Sequence, residues 1–154
     1  MEVTVLFEKG LKGELPPGEW VRGVVEKALA AERSSPSSEV SVLIAGEKKV
    51  HELNRDYLGE DRPTDVISFP MLTSDDQSGF VSPPDGLVHL GEIIISLPQA
   101  MQQAIEHAHS TNREIAILTI HGVLHLLGRD HAEPEAEREM RQREKEILDS
   151  IDLR

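Results

Sequence analysis

An α+β fold, a small mixed sheet of about four strands covered by helices, is expected for this chain of 154 residues on three grounds. Period-two alternation of apolar and polar residues marks a strand at the N-terminus, and β-prone runs recur near residues 42, 67 and 92. Segments with apolar residues at helical spacing lie between and after them. The two last strand signals are separated by a polar loop, and everything beyond residue 98 reads as helix. One domain over residues 1–154 accounts for the length, which supports a real core without room for a second.

Val3, Val5 and Phe7 alternate with Glu2, Thr4 and Glu8 as in a half-buried strand, ended by Gly10 and Gly13. After Pro16-Pro17-Gly18 the pairs Trp20-Val21, Val24-Val25 and Ala28-Leu29 give a helix one apolar stripe suited to packing on a sheet. Ser34-Ser35-Pro36-Ser37-Ser38 is a short polar connector before a second strand at Val40, Val42 and Ile44. Val50, Leu53 and Tyr57 recur at helical spacing up to Gly59. Prolines at 63 and 70 bracket a strand at Asp65 to Phe69. Thr73 to Gly86, rich in Ser, Asp, Gly and Pro, reads as a loop or hairpin excursion beside the sheet. Leu87 to Leu97 is the strongest strand signal, with Gly91 marking a bulge or a close backbone approach. Pro98 starts a helix expected to run to about His109. The next begins at Thr111 or Asn112, with Glu114 placed as in a capping box, and is apolar nearly all round from Ile115 to Leu127. Pro134 opens a last helix with a thin stripe of Ala136, Met140, Ile147 and Ile151 among Glu-Arg pairs.

The absence of cysteine excludes disulfides, iron-sulfur clusters, thiolate zinc and cysteine nucleophiles, leaving histidine and carboxylate as available ligands. No leader-like start and no apolar run of the roughly 20 residues that a membrane span needs is found, so a cytoplasmic protein with no membrane partner is expected. The formal charge of -12 argues against broad, non-specific nucleic-acid binding without excluding a local basic groove.

One window carries chemistry. His121-Gly122-Val123-Leu124-His125-Leu126-Leu127-Gly128-Arg129-Asp130-His131 places histidines at offsets of zero, four and ten, with glycine at offset seven. Residues four apart share a helix face about 6 Å apart in rise, so His121 and His125 can chelate one ion. Gly128 can take the left-handed conformation that ends the helix and turns the chain, and His131 can then close the ligand set. The spacing is that of the extended zincin signature H-E-x-x-H-x-x-G-x-x-H except that Gly122 replaces the glutamate. In a metallopeptidase that glutamate is the general base, so the window reads as a zincin-like metal-binding helix from which the peptidase base is missing. Imidazoles on so apolar a helix need partners or a ligand to offset their desolvation. Elsewhere, His51 reads as a surface residue, and His107 and His109, two apart near a helix end, as exposed. His89 points to the site if its strand runs past it and is otherwise packed or solvated.

With Pro63-Thr64-Asp65-Val66-Ile67-Ser68-Phe69-Pro70, Leu90-Gly91-Glu92-Ile93 and the Leu53-Asn54 helix end set beside the histidine window, the chain resembles the YbeY family over nearly its whole length. These are bacterial rRNA maturation factors described as metal-dependent endoribonucleases. The resemblance implies one zinc ion per chain on His121, His125 and His131, and a task in processing the 3′ end of small-subunit rRNA. It also implies the small ribosomal subunit and its assembly factors as partners; DNA is not expected as one. Where the family commonly has an arginine after the tyrosine of the helix before Pro63, this chain has Leu58. Arg62 or Arg55 is then the nearby candidate for holding a phosphate.

Read this way, a metal ion polarises a phosphoryl oxygen or activates water for phosphodiester cleavage. Without a glutamate at 122, the base falls to Asp130, Glu92, Asp65 or the RNA 2′-hydroxyl. Asp130 serves equally as a partner orienting an imidazole. Two rival readings keep the metal: a metallopeptidase with its base elsewhere, and a non-catalytic ribosome-assembly protein whose zinc is structural.

Overall fold

A computed structural model describes residues 1–71, 86–129 and 133–151. Its elements run β1 (Glu2–Phe7), α1 (Gly18–Ala31), β2 (Ser38–Ala45), α2 (Glu47–Leu58), β3 (Val66–Pro70), β4 (Val88–Ser96), α3 (Leu97–Glu106), α4 (Thr111–Leu126) and α5 (Pro134–Asp149). The expected α+β class holds. One sheet has the order β1-β2-β4-β3, in which β1 and β4 run parallel to β2, and β3 is antiparallel to β4. The loop expected over Thr73 to Gly86 lies, except for Gly86, outside the described residues, as do Asp130 and His131.

Alternation sorts the strands onto two faces. Val40, Val42 and Ile44 of β2, with Ile93 and Ile95 of β4, enter a core shared with Val21, Val24, Val25, Ala28 and Leu29 of α1 and with most of α4. Met140, Ile147 and Leu148 of α5 close it. On the other face Ile67, Ala45 and Ile94 meet Val50 of α2 in a smaller cluster. That face is thinly covered: Tyr57, expected on the apolar stripe of α2, is 71% exposed and meets Phe69 edge-on at 5.8 Å.

Two boundaries differ from expectation. β3 starts at Val66 because the Asp65 carboxylate accepts the Val66 N–H at 2.7 Å, capping the strand's first residue from the side. α3 stops at Glu106, three residues early. His109 N–H donates to Ala104 O and Ala108 N–H to Ile105 O, a left-handed helix end with Ala108 at φ 55°. The expected capping box is also replaced. Ser110 caps α4 by accepting the Arg113 N–H at 3.1 Å, and Glu114 turns inward, 3% exposed.

Gly91 is both things expected of it. The β2–β4 register shifts by one residue between Glu39 and Val40, and Gly91 sits at φ 143°, where a Cβ would lie 2.1 Å from Phe69 O. Gly122 matters for space rather than conformation. A Cβ there would lie 2.8 Å from Cγ2 of Ile93, and the Ser68 hydroxyl of β3 donates to Gly122 O at 3.3 Å. Helix α4 is thus seated directly on β3 and β4. We expect Gly122→Ala to lower stability by about 1–3 kcal/mol, the usual cost of overpacking a filled core, read as a shift of the urea midpoint at unchanged slope. A midpoint unmoved by the substitution would show that the helix can lift off the sheet at no cost.

Candidate metal centre

Burial along α4 leaves one open line. Arg113, Ile117, His121 and His125 are half-buried, while 114–116, 118–120, 122–124 and 126 are buried. Those four are spaced by four residues and therefore lie along one side of the helix. The two histidines of the sequence window occupy its C-terminal half. Their Nε2 atoms are 2.9 Å apart and their ring centroids 4.4 Å apart. Nitrogen ligands at Zn–N distances of about 2.0–2.1 Å in tetrahedral array are separated by about 3.3 Å, so this pair fits one ion with little adjustment.

The tautomer of His121 follows from its neighbour. Its Nδ1 lies 2.8 Å from Oε1 of Glu144 on α5, and an ionised carboxylate only accepts, so Nδ1 carries the proton and Nε2 is left with its lone pair. Carboxylates behind ligating histidines fix ring orientation and raise ligand basicity. Glu144 was missed in the sequence, although a signal is present. It falls four residues after Met140 and three before Ile147, on the apolar stripe of α5, where a carboxylate has no reason to be unless it meets a polar group.

Beyond His125 the helix ends as the glycine promised. Arg129 N–H donates to Leu124 O and Gly128 N–H to His125 O, with Gly128 at φ 87°. Arg129 is then pinned: its Nε donates to Glu32 at the end of α1, and its Nη1 lies 3.5 Å from Glu139. The hydrogen bond to Glu32 holds the Arg129 guanidinium above its ordinary pKa, against the opposing effect of burial. Arg143 of α5 approaches the same Glu32, whose side chain is only 5% exposed, at 3.8 Å. The chain leaving α4 is thereby tied to α1 and α5 just before Asp130 and His131, the two site candidates outside the described residues.

A cleft of about 630 Å³ opens beside His121, lined also by Asp65, Gln103, His107, Glu114 and Arg141. Of the candidate bases, Asp65 faces it, with its carboxylate held by Val66 N–H and, at 3.1 Å, by Gln103 Nε2. Glu92 does not; it lines an apolar groove on the opposite face of the sheet with Tyr57 and Phe69. Arg62 lies on the α2–β3 connection, pairs with Glu60 at 3.0 Å and is 72% exposed, and Arg55 pairs with Asp56. The arginine that lines the cleft is Arg141, which the sequence offers only as the i,i+4 partner of Glu137, a pair the structure holds at 2.6 Å. His89 bonds to Glu39 of the neighbouring strand at 2.6 Å, and His51 to Asp61 at 2.7 Å. His109, expected to be exposed, has a side chain 20% exposed and bonds to Glu114, which His107 also approaches.

A small α+β domain that seats a two-histidine helix on a mixed sheet and turns it at a glycine is zincin-like in its metal helix, with the peptidase glutamate replaced by a packing glycine. Its family is specific. The chain belongs to the YbeY family: the model of Endoribonuclease YbeY matches residues 14–152. Proteins named Endoribonuclease YbeY from Dehalococcoides mccartyi and Bacillus mycoides are 43% identical over 92% of this chain and 44% identical over 86% of it, covering 84% and 85% of their own lengths. A solution structure from Thermotoga maritima shares 27% identity and superposes with a TM-score of 0.60 over 96% of this chain and 87% of its own.

Removing the carboxylate behind His121 isolates its contribution. Glu144→Ala should weaken metal binding about 10- to 100-fold, measured by competition with a chromophoric chelator. An affinity within twofold of the parent would reduce Glu144 to a surface ion pair.

Proposed function

We propose that the chain is a zinc-dependent endoribonuclease of rRNA maturation, acting in the cytoplasm on RNA of the small ribosomal subunit together with its assembly factors. One observation carries this reading: two imidazole Nε2 atoms converge at 2.9 Å beside a cleft, in a chain whose relatives are named endoribonucleases. His131 is the third ligand in the proposal, and three histidines leave a fourth position for substrate or water. A zinc ion held there supplies Lewis acidity to a phosphodiester.

The protein's part is positioning. Glu144 keeps the His121 lone pair directed outward, and the burial of α4 on three sides keeps both rings in place. Asp130 stays in the proposal as general base or as the partner of an imidazole. Asp65 is better suited to holding β3 against α3, since both its oxygens are already engaged. The packing of Gly122 against Ile93 supports a nuclease over a peptidase, because a glutamate at that position would be driven into the core. No helix of the described residues is long and apolar enough to cross a membrane.

The net charge of -12 means that RNA phosphates must be met by local cations. Arg141 in the cleft and Arg62 at the α2–β3 connection are the two proposed contacts, the second in place of the arginine replaced by Leu58. Each contact to single-stranded RNA contributes about 0.7 to the slope of log affinity against log salt. Arg141→Ala and Arg62→Ala should each lower that slope by about this amount in filter-binding titrations. A slope equal to the parent's removes that arginine from the proposal.

The activity itself is tested with metal-reconstituted protein on small-subunit rRNA precursor and, in parallel, on casein. Cleavage of RNA alone, abolished by His125→Ala and by chelator, is expected. RNA cleavage that survives both treatments would reject the zinc nuclease, and casein hydrolysis would restore the peptidase.

A further inference from the structure

A second group of ligand atoms lies at the edge of the same cleft, which His107 and Glu114 line, and has no part in the reading above. One ring nitrogen from each of His107 and His109 and a carboxylate oxygen of Glu114 all lie within 4.8 Å of one another. We propose that His107, His109 and Glu114 form a second site for a divalent transition-metal ion, separate from the centre at His121 and His125.

Local structure builds this group from two helix ends. The left-handed turn at Ala108 reverses the chain after α3 and sets the histidines on either side of it, with ring centroids 5.5 Å apart and planes at 59°. For an alanine that conformation is unfavourable, since its Cβ crowds the following carbonyl oxygen. Four residues after the Ser110 cap, Glu114 projects from the first turn of α4 beneath them. Both imidazoles direct a nitrogen at the same oxygen, Oε2, His107 at 3.4 Å and His109 more closely. Two imidazoles and one carboxylate make a donor set that suits zinc and its neighbours rather than magnesium or calcium.

The burial is graded as a metal site requires. Glu114, at 3% exposure, and His109, at 20%, are held rigidly, whereas the His107 side chain is 57% exposed and can swing to shorten the longest separation. Ligands at about 2.0–2.1 Å from an ion can be no more than about 4 Å apart, so a movement of under 1 Å or so suffices. His107 and Glu114 line one cleft with His121. They are not one centre: seven residues separate Glu114 from His121 on α4, about 10 Å at about 1.5 Å per residue. Paired catalytic ions sit only about 3.5–4 Å apart. The second ion would therefore add positive charge at the far end of the cleft without sharing a reacting oxygen with the first.

Binding stoichiometry of the full chain tests this without reference to activity. Equilibrium dialysis against Zn²⁺, and Co²⁺ titration followed by visible absorption, should give two equivalents for the parent. One equivalent is expected for His107→Gln, one for the pair His121→Ala and His125→Ala, and none for the combination. His107 is exposed enough that its variant should melt as the parent does, which a circular-dichroism scan checks. A parent that binds one equivalent, lost in the His121/His125 variant and intact in His107→Gln, would overturn the second site and leave the first standing. Retention of both equivalents of a two-equivalent parent by His107→Gln, and again by the His121/His125 variant, would overturn both assignments. A single equivalent abolished only by His107→Gln would uphold this site and reject the centre on which the nuclease reading rests.

Discussion

Close seating of α4 on β3 and β4 is the constraint from which the other features of the site follow. The contact is possible because residue 122 has no side chain to meet Ile93, and Ser68 bonds to the carbonyl at the same point. With α1, α3 and α5 packed around the remaining sides, the helix from Arg113 onward is left with one open line of four residues. Histidines on that line keep a face toward solvent while their flanks are fixed by packing. Rotamer freedom is thus removed before any ligand arrives, which is the condition for a well-defined coordination geometry.

Around this helix, carboxylates are used as anchors. Glu144 holds a ring nitrogen of His121, Glu32 receives Arg129 and Arg143, Asp65 joins the start of β3 to α3, and Glu114 receives two imidazoles. Each is buried or half-buried and each has a partner, as low-dielectric surroundings demand of a charge. The acidic composition is therefore not only surface solvation; part of it positions the groups around the cleft. Among the described residues that line the cleft, Arg141 is the arginine set among these carboxylates.

Leu58 illustrates how a departure from the family pattern is to be weighed. It lies at the end of α2, 49% exposed, beside the thinly covered face of the sheet and not beside the histidines. Arg62, four residues on, is joined to α2 only through its backbone, where Asn54 donates to its carbonyl at 2.9 Å. Its guanidinium is largely exposed and pairs with Glu60 at 3.0 Å, so among the described residues nothing on α2 fixes the side chain.

Much of this was legible from residue order alone. Strand alternation, the apolar stripe of α1, the wholly apolar run of α4, the glycine at its end and the paired histidines are local patterns, set by periods of two and 3.6 residues and by the few conformations open to glycine and proline. The element boundaries that failed, at His109 and Asp65, were decided by one or two local hydrogen bonds that compete with helix and strand propensity. Glu114 was the hardest to read, since a carboxylate three residues into a helix looks like a cap until a neighbouring turn brings two imidazoles to it. Glu144 and Arg141 lie twenty or more residues from His121, and no spacing rule relates them to it. Their meeting depends on how α5 packs across α4, and distance along the chain carries no information about contacts made by packing.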